Sequence, residues 1–414
     1  MIGRIEGTVV STAGHRPRAG ACDNLRMPIT SARSGTDERA ALLPPELLPL
    51  FDVGFVRSCD LIEEYVARLA LGVGRAIDLE QACAGGATVE EVIARTRLAP
   101  GVARVPVGWL LETLVMHGWA ARGDRGDGER RYETVTALPT LAAEEVAQAQ
   151  AEHDPRCLPS YRIAATAAQC YPAVLRGETT GEEALFNAET IGAWFEYFSN
   201  ANPLYAIANE IGARAAAEAL AARPGAVLEV GGGLGSAAEA LLARAAALPY
   251  RFTEVSALFL RRAKRALSAR FAGRELTFGV LDIDAPFGQG GAGPGEYALV
   301  YGVNVLHVAR DLGATLSEIR TVLAPGGALV IAECVRPFPG RPVYVEFVFN
   351  LLGAFRAPVL QPAWRPTGGF LTPEQWTGAL AANGFEGVSV YPDIAAIREH
   401  YPSFVVAAIG ARRT

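Results

Sequence analysis

Lysine is almost absent from this chain: Lys264 stands alone, and the other 37 of the 38 basic residues are arginine. Acidic residues outnumber basic ones, 44 to 38, leaving a formal net charge of −6. Nucleic acid and anionic membranes bind through excess positive charge, so this balance sets both partner classes aside. Cysteine is sparse too. Cys22, Cys59, Cys83, Cys157, Cys170 and Cys334 form no C-x-x-C pair and match no zinc spacing. They read as free thiols of a reducing cytoplasm, which excludes a disulfide scaffold. No apolar run reaches the ~18 residues that a membrane span needs. Met1 to Ser11 lacks the apolar core of a secretory signal. A cytoplasmic protein with no bound metal is the expectation that follows.

What is plentiful is apolar surface: half of the 414 residues, enough for two domains. Residues 1–44 mix Gly, Arg, Ser, Thr and Pro without periodicity and are expected to be a disordered leader. Residues 45–140 read as a helical module. Thr88-Val-Glu-Glu91 is a capping box that opens a helix. A break at Ala99-Pro100-Gly101 follows, and a second helix is expected from near Pro106. Trp119 to Arg122 and Arg131 to Val135 flank a turn-rich tip, Gly123 to Gly128. Helix, helix, hairpin is the outline of a winged helix. Between Thr88 and Thr136 seven arginines meet seven acids. A DNA reader needs a basic face, so the module reads as a dimerisation element and the protein as a homodimer. Residues 141–222 read as a helical linker and lid. Trp194, Phe195, Tyr197, Phe198 and Tyr205 cluster there, either as ordinary core or as an aromatic cover over a substrate.

From about residue 223 to the end, strands and helices alternate. Val227–Val230, Tyr250–Val255, Leu276–Val280, Tyr297–Tyr301, Ala328–Ala332 and Val388–Tyr391 are strand candidates, with Ser403–Ile409 as an antiparallel edge. Such alternation implies an α/β, Rossmann-like domain with a mostly parallel sheet. Its first strand runs into Glu229-Val-Gly231-Gly-Gly233-Leu-Gly235. Glycines let the backbone turn tightly and approach a ligand. The dinucleotide pattern is G-x-G-x-x-G, whereas this loop reads E-x-G-x-G-x-G. Glu229, two residues ahead of the first glycine, would repel a pyrophosphate and suits a cationic amino acid group. Glu254, at the end of the next strand, can accept from ribose hydroxyls. Asp282, after the third, can accept from an adenine amino group. Each acid alone reads as a solvated loop carboxylate; three at successive strand ends, beside a glycine loop, point to one ligand.

These motifs, together with Asn304-Val-Leu-His307, Leu323-Ala-Pro-Gly-Gly to Glu333 and Leu371-Thr-Pro-Glu-Gln-Trp376, resemble the class I S-adenosylmethionine-dependent methyltransferases. More narrowly, they resemble the C-methyltransferase domains of polyketide synthases over residues 195–410. The resemblance implies S-adenosylmethionine as cofactor, held by Glu229, Gly231, Gly233, Gly235, Glu254, Asp282, Ile283 and Asn304. The family usually has Asp where Glu254 stands, and its His is commonly followed by Ala-Thr rather than Val308-Ala309. No ketosynthase or carrier motif is visible, so a freestanding enzyme is expected. The helical module is similar to that of freestanding dimeric small-molecule O-methyltransferases.

Methyl transfer is an in-line displacement, so the protein must place the acceptor and take its proton. Of His15, His117, His153, His307 and His400, only His307 sits just past a sheet strand, on the ligand-binding edge. Glu333 ends the following strand and could orient it. On position alone, a helix-capping histidine and a solvated glutamate remain equal alternatives. The resemblance implies a catalytic His307–Glu333 dyad. Trp194, Phe198, Tyr205, Tyr344, Phe347 and Trp364 are the expected acceptor pocket, with Phe349 and Phe355 in the same stretch; core packing is the alternative for each. The expected reaction is methyl transfer to a small polyketide-like, enolisable substrate, free or tethered to a carrier protein, with carbon favoured over oxygen. The alternatives are an O-methyltransferase acting on an enol, phenol or hydroxyl, and a methyltransferase-like transcriptional regulator.

Overall fold

The computed structural model describes residues 38–124 and 129–414. Most of the expected leader, and the tip of the hairpin, lie outside these residues. The last residues of the leader correct the expectation, because they are built into the fold. A helical turn at Arg39–Leu42 and a 3-10 turn at Pro45–Leu47 lead Leu43, Leu47 and Phe51 into the core of the C-terminal sheet. Phe51 packs edge-on to Phe404 and Tyr401, with centroids 4.3 and 5.4 Å away. The segment is too short for periodicity to reveal it, and long-range contacts hold it.

The helix Val53–Ala76 starts at Asp52, whose carboxylate accepts the Phe55 N–H at 2.7 Å. The helix Val89–Thr96 opens on the expected capping box, with both reciprocal bonds between Thr88 and Glu91 present. The next helix runs Pro100–Met116, so it begins six residues before the expected start near Pro106. Pro100 suits the first helical position, where no N–H is needed. Pro106 is tolerated in the interior because Ala103, Val107, Leu110, Leu111 and Leu114 are buried along the same helix. Their burial outweighs the ~3 kcal/mol that an interior proline costs. These two helices meet at a bend of 118°, within the helix-turn-helix range. The hairpin follows as β1 (Ala120–Asp124) and β2 (Arg130–Thr134). Most arginines of this module already face a carboxylate: Arg104 on Glu90, Arg122 and Arg130 on Glu112, and Arg131 on Glu91.

Further helices span Ala143–His153, Leu158–Arg176, Ile191–Tyr197 and Pro203–Ala222. The stretches 45–140 and 141–222, read apart from the sequence, share one hydrophobic core from Cys59 to Leu204. The helix Pro203–Ala222 turns the other way, packing Ile207, Ile211 and Leu220 into the core of the sheet. Among the described residues no single helix is long and apolar enough to cross a membrane.

The sheet comprises β3 (Val227–Glu229), β4 (Tyr250–Thr253), β5 (Leu276–Gly279), β6 (Tyr297–Val303), β7 (Leu323–Cys334), β8 (Phe385–Tyr391) and β9 (Val406–Arg413), in the order β5-β4-β3-β6-β7-β9-β8. The strands from β5 to β7 are parallel, and β9 runs antiparallel to both its neighbours. The C-terminal strand is thus antiparallel as expected, but it is no edge. Its small residues Ala407, Ala408, Gly410 and Ala411 fit between two strands, while β8, exposed at Glu386 and Ser389, closes the sheet. Strand order reverses between β3 and β6, and ligands bind at such a switch point, beyond the carboxyl ends of the strands.

One long insert, residues 335–372, crosses from β7 back to the helix Pro373–Ala382. It is pinned to the helical core. The Phe347 ring stacks on Tyr171 at 4.6 Å, the Tyr171 hydroxyl donates to the Phe347 carbonyl at 2.6 Å, and Arg341 pairs with Glu63 at 2.7 Å.

Candidate active site

β6 is buried along its whole length and ends at Val303. Asn304 then adopts a left-handed conformation (φ 51°), which asparagine tolerates better than most residues, and the chain turns through a 3-10 turn at Leu306–Val308. On the neighbouring strand, Ala332 pairs with Val303, so Glu333, the last residue but one of β7, lies level with the start of this turn. The His307 Nδ1 lies 2.6 Å from the Glu333 carboxylate. The other carboxylate oxygen accepts the backbone N–H groups of Leu306 (2.8 Å) and Val305 (3.2 Å). Glu333 is fully buried and His307 is 5 % exposed. Asn304 Oδ1 accepts from the Cys334 N–H at 2.9 Å, which leaves its amide nitrogen as the free end.

Asn304, His307 and Cys334 border a cavity of about 330 Å³. On one side its wall is Gly231, Gly233, Glu254 and Phe259. On the other it is His307, Phe349, Phe355 and Phe370, with Tyr197, Phe198, Tyr205 and Tyr344 among the rest of the lining. The His307 ring packs against Phe370, centroids 4.5 Å apart, and edge-on to Phe355 at 5.9 Å. Burial pushes the phenols of Tyr197, Tyr205 and Tyr344 above their ordinary pKa, so all three remain protonated hydrogen-bond donors. The arrangement is an apolar chamber with few polar groups, which is the usual build of a small-molecule site.

The glycine loop takes the tight turn that its positive-φ glycines allow. Gly231 (φ +59°) backs against the turn that carries His307; a Cβ there would lie 2.2 Å from Val305. Gly233 (φ +57°) has open space where a Cβ would point, and its N–H donates to Glu254 Oε2 at 2.9 Å. Glu254 Oε1 accepts from the Ser256 N–H at 2.8 Å, so the carboxylate is fixed at the cavity wall. Glu229 lies beneath the loop, fully buried. One oxygen accepts from the Tyr250 hydroxyl at 2.9 Å; the other is buried with no hydrogen bond of normal geometry, though the Ala238 N–H is near enough to favour the carboxylate. Burial raises its pKa to about 8, with the Tyr250 bond opposing the rise. A buried carboxyl with one unmatched oxygen fits a cationic group.

The structure does not gather every expected residue. Phe198, Tyr205 and Tyr344 line the cavity, but Trp194, Phe347 and Trp364 do not. Trp194 is fully buried, stacks on Phe186 and donates its indole N–H to the Leu185 carbonyl at 2.6 Å. Phe347 belongs to the helical core, and Trp364 packs on the core of the sheet. For these three, core packing accounts for the aromatic ring. Asp282 is exposed, accepts from the Asp284 N–H at 2.9 Å and stays outside the cavity lining, as do Ile283, Gly235 and the fully buried Glu229. The expected set omitted Phe370, brought in by the insert just ahead of the Leu371-Thr-Pro motif, and Phe259, which opens the helix after β4.

Residues 228–329 match the family described as a methyltransferase domain. The chain carries a methyltransferase domain. A non-reducing polyketide synthase of Macrophomina phaseolina, dpmpA, is 30 % identical over 273 residues. That alignment takes in 62 % of this chain and 12 % of the synthase, so the chain spans about an eighth of that relative's length. Two solved carbon methyltransferases share the fold. CurJ superposes with a TM-score of 0.74 at 21 % identity, covering 91 % of this chain and 97 % of its own. DszA gives 0.69 at 22 %, covering 91 % and 95 %. The methyltransferase domain is therefore of the class I fold.

Proposed function

We propose that this protein is an S-adenosylmethionine-dependent carbon methyltransferase acting on an enolisable, polyketide-like β-ketoacyl thioester. The observation that carries this reading is a buried His307–Glu333 pair opening on an apolar cavity beside the glycine loop. The cofactor fits the residues present: the unmatched Glu229 oxygen for its amino group, the Gly231–Gly233 backbone for close approach, and Glu254 for its ribose. When bound, it supplies an electrophilic methyl group. The rest is done by the chain. Two backbone N–H groups fix Glu333, and Glu333 holds the Nδ1–H of His307, which leaves the Nε2 lone pair as the base. His307 takes the α-proton, Glu333 balances the imidazolium, and the aromatic wall excludes water from the enolate. The test is formation of S-adenosylhomocysteine. Turnover is expected with a β-ketoacyl thioester that has an α-hydrogen, and none with its α,α-dimethyl analogue. Turnover with phenols alone would replace carbon by oxygen as the acceptor.

Glu229 gives this cofactor assignment a signature in protons. In the free protein its carboxyl is protonated below pH about 8. A cationic amino group stabilises the carboxylate and displaces that proton. Cofactor binding near pH 7 is therefore expected to release close to one proton, and affinity to tighten as pH rises toward 8. Calorimetry in buffers of different ionisation enthalpy measures the release, and Glu229→Gln should abolish it. The fold responds in the opposite sense. An acid whose folded pKa is raised weakens the fold as pH climbs from its ordinary 4.5 to about 8. Without cofactor, Glu229→Gln should melt above wild type at pH 8 and level with it at pH 4.

A further inference from the structure

Arg365 belongs to none of the motifs that mark the site, yet it is 1 % exposed and sits directly behind the base. It ends a tight loop of the insert, closed by reciprocal backbone bonds between Gln361 and Arg365 at 2.9 and 2.7 Å. From there the guanidinium reaches the turn that carries His307. One terminal nitrogen donates to the His307 carbonyl at 2.6 Å and the other to the Ala309 carbonyl at 3.0 Å. Its Nε is buried without a partner. Burying a guanidinium is expensive unless charge and hydrogen bonds compensate. Here two carbonyls receive it, and the Glu333 carboxylate attracts it without touching it. A neutral side chain would fill this space at less cost, so the position calls for a function.

We propose that Arg365 is the positioning residue of this site: its two-pronged grip on the main chain at His307 and Ala309 fixes where the imidazole presents Nε2. Glu333 fixes the rotation of the ring, and Arg365 fixes the backbone from which the ring projects. The proposal rests on the reading of His307 as base. A displacement of about 1 Å at a reacting group costs on the order of 100-fold in rate. Arg365→Met keeps the length and removes the donors; Arg365→Lys keeps the charge and one point of contact. With a β-ketoacyl thioester, Arg365→Met is expected to lower kcat by ~100-fold while KM and cofactor affinity hold, and Arg365→Lys to recover part of the loss. Full kcat in Arg365→Met, or a loss carried entirely by KM, overturns the proposal. Should Arg365→Met not fold, Arg365→Lys decides alone: reduced kcat at unchanged KM supports the grip, and wild-type kcat refutes it. His307→Ala assayed in parallel separates the two readings. If it is inactive, the base stands whatever Arg365 does; if it is fully active, the base reading falls first and this proposal with it.

Discussion

Alanine at His307 is expected to slow methyl transfer by roughly 100- to 10,000-fold, the range that loss of a general base covers. Cofactor affinity should hold, because the imidazole bonds to Glu333, whereas Glu254 is held by the Gly233 N–H and Glu229 by the Tyr250 hydroxyl. The turn itself should survive the change. Glu333 keeps its bonds to the Val305 and Leu306 N–H groups, so no buried carboxylate is orphaned when the imidazole is removed. Glu333→Ala differs in kind: it strands those two N–H groups as well as His307 Nδ1, and should lose stability along with activity. Single-turnover rates with a β-ketoacyl thioester, paired with a calorimetric cofactor titration, separate the two variants. An His307→Ala protein that turns over at the wild-type rate would remove His307 from the chemistry.

The second large effect is on stability. Phe347→Ala is expected to destabilise the fold by roughly 3–5 kcal/mol, as removal of a fully buried aromatic ring does. Phe347 is 0 % exposed, stacks on Tyr171 and faces Trp109 at 5.6 Å. It is the plug by which the insert enters the helical core, and the insert also carries Tyr344, Phe349, Phe355 and Phe370 to the cavity. Urea unfolding measures the loss. Phe349→Ala is the contrast: its ring borders the cavity, so acceptor preference should shift with a smaller change in stability. Wild-type stability in Phe347→Ala, with altered acceptor choice, would place Phe347 in the pocket after all.

Phe347 and Phe349 also show where sequence reading stops. Both stand in one aromatic stretch, two residues apart, and periodicity cannot tell which faces a ligand and which a neighbouring domain. The same holds for Trp194 and Phe198, which stack on each other while only Phe198 reaches the cavity. The elements that carry the glycine loop and bring His307 to Glu333 were readable because their signals are local: glycines after a buried strand and a histidine just past another; the acid after the third strand, Asp282, was not gathered with them. The place of β9 between β7 and β8 was not, since strand order is a matter of long-range pairing. Arg365 escaped for a related reason. Its partners are main-chain carbonyls 58 and 56 residues away, and carbonyls leave no mark in a sequence.

The most direct test of the account is the position of the new methyl group. The protein is given S-adenosylmethionine carrying a 13C-methyl and a β-ketoacyl thioester, and the product is read by carbon NMR. The expected product carries the labelled methyl on the α-carbon, coupled to the single hydrogen left there, and forms at least about 100-fold more slowly when His307 is alanine. A labelled methyl on oxygen, or the same carbon product formed at the wild-type rate by the His307→Ala protein, would contradict the account.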